Sequence, residues 1–201
     1  ALPGAAQQAR RSPPPIPPQI RAQGSVQVAF APWDGAEAMV VAAVKAARRQ
    51  VLVQAYSFTS RALANALIAA RRRGVEVRVP ADREQTFGGE SNRIPELVAA
   101  GIPVLLEVRY ASAHNKVMVI DAGLGNQAVI TGSYNWTWAA QNRNAENVLI
   151  LRRNAEVAGA YAANWWRHAA DALPYEVARN TLAAPAALPR QAREEMIEAS
   201  P

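Results

Sequence analysis

The sequence predicts an α/β domain: a mixed, mostly parallel β-sheet with helices over both faces. Three observations predict it. Strand-like apolar runs alternate with helical stretches from Val26 onward, two of the helical stretches close on glycines (Gly74 and Gly101), and a single hairpin signal, Gly123-Leu124-Gly125-Asn126, breaks the alternation. Strands alternating with helices make a sheet that must be covered on both sides.

The elements follow in order. Residues 26–30 read as a strand, and the Ala-rich stretch 35–50 as a helix after Asp34, with Met39, Val40 and Val44 on one face. Residues 51–57 form a second strand, apolar almost throughout as a buried strand should be. Residues 60–73 are helical, with Gly74 as the C-terminal cap. A third strand, 75–79, ends at Pro80, which has no N–H to give to a ladder. A short helix at 93–100 precedes a strand at 104–108. Strands at 116–121 and 128–131 flank the glycine-rich turn. A short helix at 136–141, a strand at 147–151 and a helix at 155–172 complete the fold. Residues 84–92 and 109–113 are left as loops suited to a functional role.

Three regions result. Residues 1–24 are a basic, proline-rich arm, with Arg10, Arg11, Arg21 and the extended run Pro13-Pro14-Pro15-Ile16-Pro17-Pro18. Residues 25–173 are the folded domain, and residues 174–201 a tail that is either a peripheral helix or loosely ordered.

Composition narrows the chemistry. With 22 Lys and Arg against 16 acids the net charge is +6, which suits DNA, RNA or an anionic membrane surface but also serves solubility alone. The absence of cysteine excludes thiol catalysis, thiolate-bound zinc and disulfides. The two histidines, His114 and His168, are too few for a histidine-rich metal site. No apolar run approaches the ~20 residues of a membrane span, so no transmembrane segment is expected. The chain starts on Ala1 rather than Met, as a removed signal peptide would leave it. Together with the lack of cysteine this gives a periplasmic or secreted protein, although a trimmed boundary explains the same start.

The chemical signal lies at His114-Asn115-Lys116. Residues two apart on a strand share a face, so an imidazole and an ammonium can converge on one point. The lysine would neutralise phosphate oxygens while the imidazole attacks phosphorus or moves a proton. After a further strand, Gly132-Ser133-Tyr134-Asn135 offers neutral donors in Ser133 and Asn135, with Gly132 permitting close backbone approach. Glu146 is a candidate to orient the imidazole through its second nitrogen. A lone His-x-Lys pair is weak evidence; with Asp121 at fixed spacing and the Gly-Ser-x-Asn segment, coincidence becomes improbable.

His114-x-Lys116-x4-Asp121 followed by Gly132-Ser133-x-Asn135 resembles the HKD signature of the phospholipase D superfamily. Ala31-Pro32-Trp33, the stretch from Val53 to Thr59, Arg72-Arg73-Gly74-Val75-Glu76-Val77 and Asn144-Ala145-Glu146-Asn147 are similar to the small bacterial Nuc-type endonucleases. The likeness spans about residues 26–166. It implies a phospholipase D-like fold and a metal-independent phosphodiesterase that needs no cofactor. It further implies that one histidine forms a phosphohistidine and a second protonates the leaving oxygen, then activates water. His114, Lys116, Ser133, Asn135 and Glu146 would be the catalytic set, with Asp121 a structural member of the motif.

The resemblance also implies a dimer. The mechanism needs two motifs and the chain has one, while His168 lacks a lysine two residues on and lies in a helical stretch. A homodimer sharing one active site across a twofold axis supplies the second His114. Two departures stand out: the ten residues between Asp121 and Gly132 make a longer hairpin than is usual in the family, and Pro80 replaces an aliphatic residue. Tyr56, Ser57, Trp136 and Trp138 are candidates for the substrate groove; Trp165 and Trp166 suit a core or interface better than base stacking. Asp82 and Glu84 are two nearby acids for which a Mg²⁺ role is disfavoured. The leading function is cleavage of DNA, and of RNA, with little sequence preference. Hydrolysis of lipid phosphodiesters and a catalytically silent nucleic-acid-binding module are the alternatives.

Overall fold

The computed structural model describes residues 14–89 and 91–183; Arg10, Arg11 and Pro13 of the arm and all of the tail beyond residue 183 lie outside the described residues. Val51, Leu52 and Val53 are fully buried, because successive residues point to opposite faces and here both faces are covered. This strand, β2 (Gln50–Ala55), sits inside a sheet made with β1 (Ser25–Ala31), β3 (Glu76–Asp82), β4 (Val104–Glu107), β5 (Lys116–Ile120), β6 (Ala128–Gly132), β7 (Glu146–Arg152) and β8 (Leu173–Pro174). The strand order is β1-β7-β6-β5-β2-β3-β4-β8.

The mixed sheet between helical layers is as expected, but its pairing is mostly antiparallel. Only β2–β3 and β3–β4 are parallel; the other five pairings are antiparallel. The two parallel pairs are those joined by helical crossovers. Parallel neighbours need a crossover of a dozen or more residues. Such crossovers are supplied by α2 (Arg61–Arg72) between β2 and β3, and by α3 (Arg83–Phe87) with α4 (Ile94–Ala99) between β3 and β4. The β5–β6 hairpin, about the Gly-rich turn, is antiparallel by necessity, and β5 lies beside β2, and β7 beside β1, running the opposite way from distant parts of the chain. The five-residue α5 (Trp138–Asn142) lies between β6 and β7.

Pro80 does not end its strand. β3 continues through it to Asp82 in register with β2 and β4, pairing Pro80 with Leu105 and Ala81 with Ala55. The expected loop at 84–92 begins with α3, capped by Asp82 through Gln85 N–H at 2.9 Å; the Asp82-x-x-Gln85 spacing is a helix-start signal. The first helix, α1 (Ala36–Lys45), stops short of Gln50 because the amides of residues 48–50 turn to another acceptor, Asp121. Beyond α6 (Ala155–Asp171), β8 joins the sheet edge and α7 (Tyr175–Ala183) buries Ala178.

One face of the sheet carries the main core, where α1, α2, α4, α5 and α7 bury residues against Val53, Val77, Met118 and Ile150. On the other face α6 lays Trp165 over Leu52, Val117 and Val119, and its indole donates to Val53 O at 2.9 Å. That helix does not reach the β1 edge. Val26, Val28 and Phe30 stand on the α6 face 60, 49 and 52 % exposed. No described helix is long and apolar enough to cross a membrane.

Candidate active site

The carboxyl ends of β2 and β6 and the amino ends of β5 and β7 meet at one end of the sheet, and this is where the candidate residues gather. His114, in the segment leading into β5, is exposed. Its ring lies against Tyr56, just past β2, with centroids 4.3 Å apart. Lys116, the first residue of β5, is 5 % exposed. Its Nζ donates to His114 O at 2.7 Å and sits 4.7 Å from the centre of the Tyr56 ring. Burial lowers the ammonium below the usual lysine range, and the Glu146 carboxylate partly offsets that. Tyr56 thus holds both the exposed imidazole and the buried cation.

Across β6 and β7 a second polar group forms. Ser133 Oγ donates to Glu146 Oε2 at 2.5 Å and accepts from Asn147 N at 3.0 Å. Asn144 Nδ2 donates to Glu146 Oε1 at 2.9 Å. The expected bond from Glu146 to the His114 imidazole is not made within this chain, because serine and asparagine take up the two carboxylate oxygens. Gly132 is required here: its φ is +154°, and a Cβ would stand 2.3 Å from Asn147 O, so any side chain would push β7 away from Ser133. The Asn135 Oδ1 is buried without a hydrogen-bond partner.

Several expectations change. Trp136 is completely buried and donates to Gln54 O at 2.9 Å; it belongs to the core and offers no face to a substrate. Trp138 is 56 % exposed with the Arg143 guanidinium 5.3 Å from its ring centre, and Tyr56 and Ser57 are half-buried at the mouth. Trp165 is core and Trp166 is partly exposed beneath Arg78. His168 contacts Glu107 (Nδ1–Oε2, 2.5 Å) and the Tyr110 ring, away from the five candidates. Asp121 lies at the opposite end of β5, where its carboxylate accepts backbone N–H groups.

One role, that of Asp82, is not visible in the sequence. Asp82 is buried; one oxygen caps α3, and the other accepts Ala113 N–H at 2.8 Å. It therefore fixes the backbone immediately before His114.

The family described as "Cardiolipin synthase, PLD-like domain" matches residues 40–168. The chain belongs to the phospholipase D superfamily. A phospholipase D of Rickettsia bellii is 35 % identical over 156 residues, 74 % of this chain and 75 % of that protein. The mitochondrial cardiolipin hydrolase of Xenopus laevis is 33 % identical over 117 residues, 58 % of this chain and 53 % of that one. Among solved structures, the phospholipase D family member Nuc from Salmonella typhimurium superposes with a TM-score of 0.70 at 29 % identity, over 76 % of this chain and 99 % of its own. This superfamily member is of the single-motif Nuc type, with one HKD motif per chain.

Proposed function

We propose that the protein is a metal-independent phosphodiesterase that cleaves DNA, and RNA, with little sequence specificity. The observation that carries this reading is the pairing of an exposed His114 imidazole with a buried Lys116 ammonium locked to its backbone. A fixed cation at the point where phosphate oxygens gain charge needs no reorganisation during reaction. His114 attacks phosphorus, the P–O bond to the leaving strand breaks, and a second His114 gives that oxygen its proton. The second histidine then takes a proton from water, which attacks phosphorus, breaks the P–N bond and frees the first His114. Ser133, Asn135 and Glu146 complete the set that binds and orients the phosphate.

The second His114 comes from a second copy of the chain. The apolar strip Val26, Val28 and Phe30 supports this, because it is exposed and runs toward the site end, where Phe30 pairs with Asn147 beside Ser133. Large uncovered apolar strips on a sheet mark association surfaces. Val28→Asp is expected to convert the dimer to monomer in sedimentation and to abolish cleavage; an active monomer would sink the shared-site reading. A periplasmic or secreted location fits the cysteine-free chain.

Curated relatives named phospholipase D and cardiolipin hydrolase favour a second reading, a lipid phosphodiester substrate. One cleft beside the mouth favours nucleic acid, being lined by Ser57, Thr59, Glu84, Gln85, Ser91 and Asn92 with no apolar wall for acyl chains, while a second carries Trp138 and Ala139. Plasmid DNA and cardiolipin vesicles, each incubated with the protein in excess EDTA, separate the readings. DNA cleavage without lipid turnover is expected; lipid turnover alone would overturn the nuclease, and a requirement for added Mg²⁺ would overturn the mechanism.

A further inference from the structure

The end of the sheet away from His114 carries a concentration of arginine that the reaction does not use. Arg48 and Arg49 precede β2, and Arg71, Arg72 and Arg73 close α2; all five are exposed. Arg152 ends β7 beside the exposed Arg153. Of the described residues, Arg78, Arg83, Arg93, Arg109 and Arg179 are ion-paired, whereas none of these seven is. The acids close by are already engaged: Asp121 by amides, Glu76 by Gln50 and Arg78. Arg73 gives its guanidinium to Val44 O and Lys45 O; the other six carry no ion pair, and a chain of phosphates would neutralise them.

A path joins this end to the reaction mouth. Helix α2 starts at the mouth, where Ser60 and Arg61 share a cleft with Ser91 and Trp138. It ends among the arginines. Its sequence, RALANALIAARR, has no acid, and Arg61, Asn65 and Arg72 are exposed along it. Twelve residues at the helical rise span ~18 Å, or roughly five base-pair steps of duplex at 3.4 Å each.

We propose that α2 and the arginine end form a second phosphate-binding surface that holds the flank of a long polynucleotide whose scissile phosphate lies at His114. This rests on the nuclease reading and adds where the rest of the strand goes. The segments carrying these arginines hold no aromatic residue, so they grip phosphate without stacking on bases, and contribute affinity without sequence preference. The same lack of exposed aromatic or aliphatic anchors argues against a bilayer, since peripheral membrane docking joins charge to inserted apolar groups. A bilayer at this end would also lie on the side away from His114.

The test uses a duplex of about 40 base pairs, long enough to cover both the mouth and the arginine end. Binding is measured against salt in the His114→Ala background so that the DNA stays whole. One variant carries Arg49→Ala, Arg71→Ala and Arg72→Ala; a control with the same loss of charge carries Arg109→Ala, Arg167→Ala and Arg179→Ala. Three lost phosphate contacts lower the salt slope by about 2.7. That drop is expected with the first variant only, with the melting temperature unchanged. A slope equal to the control's would overturn the proposal. So would loss of binding to phosphatidylglycerol vesicles with long-duplex binding intact, which would assign the surface to a membrane. Failure of the unsubstituted protein to cleave or bind any DNA would overturn the nuclease reading and this one with it, a result distinct from both.

Discussion

Replacing His114 with alanine will cut phosphodiester cleavage by roughly four to six orders of magnitude, the range seen when a nucleophile or its base is removed. The fold should not suffer: the side chain is exposed and its ring contact is Tyr56, so stability should move by no more than about 0.5 kcal/mol. The more telling experiment mixes the two proteins. If each site takes one His114 from each of two chains, a mixed dimer has a nucleophile without an acid, or the reverse, and is dead. With chains co-refolded at random, activity per total protein then follows the square of the unsubstituted fraction. An equal mixture works at about a quarter of the full rate, against about half if each chain acts alone. A linear dependence would refute the shared site while leaving His114 essential.

The sequence made the site's parts readable more fully than their arrangement. His114, Lys116 and Ser133 stand at strand ends because an apolar run flanks each, and such runs are visible in one dimension. What a side chain touches across the sheet is not. Asp82 holds the amide of Ala113, 31 positions away, and no local spacing advertises that bond. Glu146 was expected on the imidazole but meets Ser133 across the β6–β7 ladder. Trp136 looked available because it follows a polar segment; its burial depends on β2 offering Gln54 O to its indole. Parallel pairing was overestimated for a related reason, since β-α alternation is local while the insertion of β5 beside β2 is not. The α3 helix, by contrast, could have been read from its Asp82-x-x-Gln85 cap.

Asp121 gives the largest expected loss of stability. It is 1 % exposed at a φ of +51°. Its carboxylate accepts from Arg48 N at 2.9 Å, Arg49 N at 2.7 Å, Gln50 N at 3.0 Å and Asn126 Nδ2 at 2.6 Å. Burial alone would raise its pKa, but these donors outweigh burial and hold it below the usual carboxylate range. Asp121→Asn keeps one acceptor oxygen and turns an NH2 group toward two donors, so buried N–H groups lose their partner. The cost is about 3 kcal/mol, or roughly 10 °C in melting temperature for a chain of this size. The sign of the pH dependence follows from the lowered pKa. The carboxylate's contribution is complete above the ordinary aspartate range near ~4 and fades as pH falls through the lower folded value. The gap between the two proteins should therefore be full at neutral pH and narrow in acid. Because Asp121 lies at the far end of β5 from His114, cleavage measured well below the melting temperature should survive the substitution. Loss of activity without loss of stability would instead give this aspartate a part in the chemistry. Survival of activity with the melting loss makes it the clamp that closes the α1–β2 loop and presents Arg48 and Arg49 to solvent.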